Sequence, residues 1–93
     1  MAALIVTYDL KKQGQNYTCI INKLKSYPTH WHMQGSVWII QTNETPVQVR
    51  DKLKSCLDPN DNLFVGLLAA GAWEGFDEAS GKWLKTVIEA TVH

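Results

Sequence analysis

The sequence predicts a small α+β domain whose strands and helices follow in the order βαββαβ, with a further helix at the C-terminal end. Three observations lead to this prediction. The chain opens on an apolar, β-branched run at residues 4–10, which is typical of a central strand. Two later segments repeat apolar residues at helical spacing, and an aromatic-rich extended segment lies between them. A second apolar run at residues 63–68 supplies the last strand.

Length and composition fit one folded domain over residues 1–93, with a core at about 3–68 and a C-terminal extension at 69–93. The chain is 45% hydrophobic and 19% charged, far from the composition of disordered proteins. No apolar run approaches the roughly 18 residues that span a bilayer, and no secretory signal pattern opens the chain. We therefore expect a cytoplasmic protein without a membrane partner.

The first helix is expected to begin near Asn16, a suitable N-cap, and to end before Pro28, because a proline disfavours helical geometry in the residue before it. Four apolar residues recur along it at i, i+3, i+4 and i+7, which places them on one face. They are Tyr17, Ile20, Ile21 and Leu24. The face predicts a helix packed on the sheet.

The aromatic-rich segment predicts two short strands, at residues 30–34 and 36–42, joined by a bend at Gly35. Thr45, Pro46 and Gln48 then form a capping-box pattern that predicts the start of the second helix. Residues 58–61 have turn composition, and 63–68 is the next strand. Residues 69–76 fit either an irregular loop or a short strand reaching another protomer. A final helix is expected from about Gly81.

Charge is divided unevenly along a chain whose formal net charge is zero. Residues 1–54 carry seven basic residues against three acids, a net +4, and residues 55–93 carry a net −4. A basic surface can meet a polyanion, although a solvated helical surface gives the same pattern. Without a secretory signal, the two cysteines are expected to be reduced thiols on or near the core faces of helices.

Asp9 is the first candidate for chemistry because it directly follows a buried strand, which would hold its carboxylate rigidly. One carboxylate binds Mg²⁺ weakly, since hard cations take several oxygen ligands. A two-fold axis could supply a second Asp9 and complete a site that neither chain has alone. The structural alternative is a strand-end aspartate that accepts hydrogen bonds from the following loop.

His30 and His32 are spaced at i, i+2, so on a strand both imidazoles project from the same face. Two ligands do not make a zinc site, which takes three or four donors. The imidazoles can instead contact phosphate or shuttle protons. No Walker motif, dinucleotide fingerprint or nucleophile motif is present, and the spacing that starts at Asp58 departs from a calcium loop.

Four tryptophans in a short chain invite a role in stacking on bases. Trp38 and Trp83 lie among apolar residues at core spacing, and we expect them in the core. Trp31 and Trp73 are less constrained and are the better candidates for ligand contact. Packing or a dimer contact is the alternative for both.

Several local strings together resemble a known group of proteins, the small SinR-like proteins. These in turn are related to the second CRISPR-associated adaptation protein and to the virulence-associated protein D group. The resemblance covers about residues 4–68, and its most specific part is the tyrosine-aspartate strand end, Tyr8-Asp9. The other strings are Gly14-Gln15-Asn16-Tyr17, Trp31-His32, Ser36-Val37-Trp38-Ile39, Val49-Arg50-Asp51-Lys52-Leu53 and Leu57-Asp58-Pro59-Asn60-Asp61.

The resemblance implies a ferredoxin-like fold with an antiparallel sheet that dimerises through its sheets. It also implies metal-dependent cleavage of RNA or DNA, or a nucleic-acid scaffold without catalysis. By position, Asp9 would be the Mg²⁺-binding acid at the dimer axis, and Ser36 would match the serine of the Ser-Val-aromatic strand. The chain departs from the pattern in carrying Lys11 and Lys12 but no arginine after Asp9, and in ending with a helix instead of an exchanged strand.

Three functional hypotheses follow. The leading one is a cytoplasmic homodimer on RNA or DNA, acting as a Mg²⁺-dependent endoribonuclease or endodeoxyribonuclease in which Asp9 is catalytic and Lys11 and Lys12 position the backbone. The second is a binding module for a small anionic nucleotide, with Lys11, Lys12 and an exposed Trp31 or Trp73 as its contacts. Across these hypotheses the candidate ligand-binding residues are Lys11, Lys12, Trp31, His32 and Ser36. The third is an adaptor that docks a larger protein partner.

Overall fold

A four-stranded antiparallel sheet forms the middle of the molecule, in a computed structural model that describes residues 1–10 and 17–91. The strands are β1 (Ala2–Asp9), β2 (Thr29–Gln34), β3 (Val37–Thr42) and β4 (Asn62–Leu67). Their order across the sheet is β2-β3-β1-β4, so β1 has a neighbour on each side. The helices are α1 (Thr18–Lys25), α2 (Pro46–Leu53), continued by a 3₁₀ turn at Lys54–Cys56, and α3 (Glu78–Glu89). The predicted ferredoxin-like α+β fold with an added C-terminal helix is confirmed.

Both faces of the sheet are covered, by different helices. Alternate residues of β1 point to opposite faces. Leu4, Val6 and Tyr8 pack with α1 and α2 on one face, which we call the helix face. Ala3 and Ile5 pack with Leu84, Val87 and other residues of α3 on the opposite face, which we call the α3 face. This double burial explains why the first strand reads as a nearly continuous apolar run.

Most element boundaries agree with the sequence-based prediction to within one residue. The capping box of α2 is present, with Thr45 Oγ1 accepting from Gln48 N and Gln48 Oε1 accepting from Thr45 N. The predicted cap Asn16 lies outside the described residues, and in the structure Tyr17 precedes α1 without a side-chain cap bond. α3 begins three residues before Gly81, because Asp77 caps it by accepting from Ser80 N. Residues 69–76 are irregular rather than a strand.

The prediction of two reduced thiols is wrong, since Cys19 and Cys56 form a disulfide. Cys19 lies in the first turn of α1, and Cys56 ends the 3₁₀ turn after α2. Because α1 and α2 lie side by side on the helix face, the two Cα atoms are 5.6 Å apart, within disulfide range. The sequence alone does not show that these two cysteines, 37 positions apart, lie next to each other in the fold.

α3 is fastened to the sheet at both ends. At its start, the half-buried Trp83 and Phe76 meet Trp31 of β2 edge-to-face, with ring centroids 5.8 and 5.1 Å from the Trp31 ring. Beyond its end, the buried Thr91 hydroxyl accepts from Ala3 N at 2.9 Å. None of the helices in the described ranges is long and apolar enough to cross a membrane.

Candidate functional site

One end of the sheet gathers three of the residues that the sequence singles out. β1 and β2 end there, while β3 and β4 begin there, as the antiparallel order requires. This arrangement places Asp9, His32 and Ser36 at the same end, although they come from separate segments of the chain. We call it the Asp9 end. Lys11 and Lys12, which follow Asp9, lie outside the described residues.

Asp9 lies opposite Asn62 across the β1–β4 ladder, and Thr7 lies opposite Phe64. By strand alternation these four side chains share the α3 face. They line a depression of about 190 Å³ together with Tyr8 and Leu63. No residue of α3 contributes to this depression, because α3 packs on the opposite half of β1, over Ala3 and Ile5. α3 therefore leaves this part of the sheet uncovered, and Phe64 is 62% exposed beside Asp9.

The backbone that carries Asp9 is held by its neighbours. Tyr8 N donates to Ser36 O at 3.2 Å, so the β2–β3 turn is tied to the end of β1. The buried Trp38 donates from Nε1 to Tyr8 Oη at 3.3 Å, and the Tyr17 ring lies 6.1 Å from the Tyr8 ring. Because Tyr8 is held in this way, the backbone position of the next residue, Asp9, is fixed. A metal or phosphate site requires side chains that are held in place.

His32 lies flat on Trp38. The two rings are 4.2 Å apart between centroids and inclined by 9°. His32 Nε2 lies 2.5 Å from Gly35 O, and since a carbonyl only accepts, Nε2 is the donor of this contact. His30 also approaches Trp38, at 6.1 Å and 41°, and its Nδ1 donates to Tyr27 O. Both rings lie on the helix face, as the i, i+2 spacing predicts.

The four tryptophans differ in burial and in the residues against which they pack. Trp38 is 1% exposed and Trp83 is half-buried, in agreement with the prediction that both lie in the core. Trp31 lies on the α3 face, away from His32, in the aromatic cluster with Trp83 and Phe76. Trp73 is 37% exposed, and its indole packs over Gly81 of α3. Trp31 and Trp73 therefore both make packing contacts within the chain.

Sequence reasoning missed Asn62 and Phe64 as neighbours of Asp9. The signal was present, because in an antiparallel pair the residue that begins β4 faces the residue that ends β1. In the sequence, Asn62 belongs to the spacing Asp58, Asn60, Asn62, which resembles the opening of a calcium loop. Within residues 1–10 and 17–91, no three side chains of His, Cys, Asp or Glu come close enough to hold a metal ion. One described chain thus brings one carboxylate and one amide to this position.

A charged cleft of about 510 Å³ lies at the opposite end of the sheet, between α1 and α2. Glu44 pairs there with Lys52, whose ammonium also lies 5.8 Å from the Tyr27 ring centroid. The paired Lys52 ammonium, followed by the nearby Tyr27 hydroxyl, lowers the pKa of Glu44. Burial, followed by the nearby Glu44, raises the pKa of Tyr27. Lys23 ties the walls by donating to Lys52 O and Ser55 Oγ, so these charges serve internal contacts.

The sequence model of the family described as "CRISPR associated protein Cas2" matches residues 1–74 of this chain. The matched range covers all four strands, α1, α2 and Asp9, and it ends before α3. No solved structure matches the chain. The match confirms the resemblance to the CRISPR adaptation protein and gives no support to the SinR-like proteins.

Proposed function

The chain belongs to the CRISPR-associated protein Cas2 family, and from this we propose that it is a cytoplasmic, nucleic-acid-binding protein of CRISPR adaptation. We further propose that it acts as a homodimer and cleaves RNA or DNA with Mg²⁺. Asp9 carries this proposal: its carboxylate follows the central strand on a held backbone, at the end of the sheet that α3 does not cover.

The part of the sheet that α3 leaves uncovered around Asp9 favours a second copy as the partner. Phe64 is the most exposed aromatic side chain in the described ranges, and it shares the depression with Asp9. Since α3 covers only the other half of the sheet, two copies can meet across the uncovered half. A two-fold axis near Phe64 would then bring the two Asp9 carboxylates towards each other. A dimer of this kind supplies the second acid that one chain lacks.

The donor atoms at the Asp9 end fit Mg²⁺. The Asp9 carboxylate and the Asn62 amide offer hard oxygen ligands, and waters and nucleic-acid phosphates complete such a shell. In the dimer, Asp9 of both chains would hold the ion, which supplies polarisation of the scissile phosphate and activation of water. The backbone bond from Tyr8 to Ser36 keeps the carboxylate in position. Lys11 and Lys12 would neutralise the phosphates on either side.

The decisive experiment measures cleavage of labelled single- and double-stranded RNA and DNA with Mg²⁺ or Mn²⁺. We compare the wild type with Asp9→Asn and with Asp58→Asn, a matched change at an exposed aspartate in a turn outside the site. We expect Asp9→Asn to lose about 100-fold or more in rate, a loss typical of a ligand to a catalytic metal. Asp58→Asn should cleave like the wild type.

Two results would contradict the catalytic proposal: no cleavage by the wild type, or equal cleavage by Asp9→Asn. Binding that is strongly weakened by salt would in either case leave a non-catalytic nucleic-acid scaffold. A protein that ignores nucleic acid but is stabilised by a nucleotide, or that captures a stoichiometric protein, would fit the two other hypotheses instead.

The dimer is tested separately by sedimentation equilibrium of Phe64→Ser and Leu67→Ser. Both residues are exposed on β4, at 62% and 50%, but Phe64 lies on the α3 face and Leu67 on the helix face. We expect Phe64→Ser to weaken dimerisation by about tenfold or more, since large apolar contacts at an interface centre carry most of the affinity. Leu67→Ser should leave it unchanged. A monomeric wild type at the highest attainable concentration would refute the shared site.

A further inference from the structure

The two cysteines of the disulfide differ in their access to solvent. Cys19 is exposed, whereas Cys56 is half-buried and packs against the core of the helix face. The bond joins the first turn of α1 to the end of the 3₁₀ turn that follows α2. A small thiol in solution therefore reaches this bond from the side of Cys19, and access is one of the factors that set the rate of thiol–disulfide exchange.

The electrostatic surroundings of the two sulfur atoms differ as well. Cys19 lies at the amide end of α1, which carries a partial positive charge, and the first turn contains no acidic residue. Lys23 lies one turn further along the same face of the helix. Its ammonium donates to Ser55 Oγ at 2.5 Å, which places this charge beside the turn that ends at Cys56. A helix N-terminus and a nearby cation favour the thiolate, the reactive form of cysteine, at Cys19.

We propose that Cys19 and Cys56 form a reversible thiol–disulfide switch, and that Cys19 is the residue that exchanges with glutathione or a similar small thiol. The inference goes beyond the proposed function, because it concerns the helix face and needs no nucleic acid. It takes from that proposal only the cytoplasmic location. Disulfides that occur in the cytoplasm are usually transient, and they are catalytic or redox-sensing.

The exchange takes place in two steps. The Cys19 thiolate attacks one sulfur of oxidised glutathione, so that a mixed disulfide forms on Cys19 and one glutathione thiolate leaves. The Cys56 thiolate then attacks Cys19 Sγ, which closes the protein disulfide and releases the second glutathione thiolate. The protein loses two electrons and two protons, and both pass to the two glutathione molecules. Reduction follows the same steps in reverse, through the same mixed disulfide.

Reduction should loosen the start of α1 and leave the rest of the fold in place. α1 has eight residues and no side-chain bond that caps its start, and a helix of that length is not stable alone. It also packs on the core through buried side chains that it shares with α2, and this packing does not depend on the disulfide. The buried side chains are Ile20, Leu24, Val49 and Leu53. The switch thus controls whether the first turn of α1 is fixed to the turn after α2.

The first experiment compares Cys56→Ser, which leaves the Cys19 thiol, with Cys19→Ser, which leaves the Cys56 thiol. Each variant reacts with oxidised glutathione, and intact-mass spectrometry measures the rate at which the mixed disulfide forms. We expect the Cys19 thiol to react at least about tenfold faster. Adding Lys23→Gln to Cys56→Ser should slow the reaction by about twofold or more. Lys25→Gln, a matched change at an exposed position of α1, should not slow it.

The wild type tests the switch without relying on either variant. Its reduction by reduced glutathione is stopped with acid, and peptide mass mapping locates the glutathione adduct, which we expect on Cys19. Complete reduction should give two thiols that can be alkylated and a circular dichroism spectrum like that of the oxidised protein. Amide hydrogen exchange should become faster only near the start of α1. Oxidised glutathione should then restore the disulfide.

Two results would overturn the role of Cys19: a glutathione adduct on Cys56, or equal rates for the two single-cysteine variants. A disulfide that glutathione reduces only in denaturant, or a reduced protein that is unfolded, would overturn the switch and leave a purely structural disulfide. These measurements use no nucleic acid, so their failure leaves cleavage at the Asp9 end untouched, and a failure of cleavage leaves the switch untouched.

Discussion

Replacing Thr91 by valine tests whether α3 is an integral part of the fold. The Thr91 hydroxyl accepts from Ala3 N and donates to Val87 O, both at 2.9 Å, and Thr91 is 2% exposed. Ala3 lies near the start of β1, where its carbonyl accepts from Leu68 N just beyond β4. The hydroxyl thus accepts the hydrogen bond that a carbonyl of a neighbouring strand would otherwise accept from Ala3 N.

Valine has nearly the shape of threonine, so the change removes the hydroxyl without opening a cavity. The Ala3 N–H then stays buried without a partner, which costs about 1–3 kcal/mol. Burying one more methyl group offsets roughly 0.8 kcal/mol of this cost. These two terms leave a loss of about 0.2–2.2 kcal/mol, and we expect the free energy of unfolding to fall by about 1 kcal/mol, near the middle of that range. For a domain of this size, a loss of about 1 kcal/mol lowers Tm by roughly 4 to 8 °C.

Urea unfolding followed by tryptophan fluorescence measures the difference, with Thr86→Val as the control. Thr86 also donates its hydroxyl proton to a carbonyl four residues earlier in α3, but it is exposed and bonds to no strand. Its replacement should change stability by less than about 0.5 kcal/mol. Thr91→Ser, which keeps the hydroxyl, should retain most of the wild-type stability. If Thr91→Val and Thr86→Val unfold at the same urea concentration, α3 does not depend on this bond.

Three further predictions concern stability. Replacing Cys19 and Cys56 by serine should lower the free energy of unfolding by about 4 kcal/mol, since the disulfide closes a loop of 37 residues. A reductant should destabilise the wild type but have no effect on this variant. Thr45→Ala should cost about 1 kcal/mol in urea unfolding through loss of the cap, with Thr86→Ala, at an exposed position within α3, as the comparison. The pKa of Glu44 is lowered in the folded state, so ionised Glu44 stabilises the fold at pH values above the ordinary glutamate pKa. This stabilisation is lost as the pH falls through the pKa that Glu44 has in the folded state. Glu44→Gln should reduce the fall in the free energy of unfolding at acidic pH. An unchanged dependence on pH would contradict this role of Glu44.

The strands were predictable because their apolar runs are long and bounded by turn residues. Double burial of β1 leaves a nearly unbroken apolar run, and the capping box of α2 places that helix from three residues alone. The side on which α3 packs was not predictable. Its stripe of Trp83, Leu84, Val87 and Ile88 says that one face is buried but not against which surface.

The candidate site was predictable in its carboxylate and not in its surroundings. Asp9 stands out because it ends an apolar strand, a feature of local sequence. Asn62 and Phe64 become its neighbours only through the register of β4 on β1, which depends on the whole sheet. The flat stack of His32 on Trp38 likewise depends on the β2–β3 pairing and its irregularity after His32. The disulfide depends on how two helices lie together.

The central place of β1 also governs when the protein can fold. β1 leaves the ribosome before both of its neighbours, which are residues 37–42 and 62–67. Until β4 has emerged, one edge of β1, the most apolar strand, has no native partner. The α3 face of β1 stays uncovered until residues 78–89 have been synthesised as well. Pairings of such long sequence separation slow folding, because a long loop must close before they form. A nascent chain of this protein therefore exposes an apolar strand until residues 78–89 have emerged, and until then that strand is prone to aggregation.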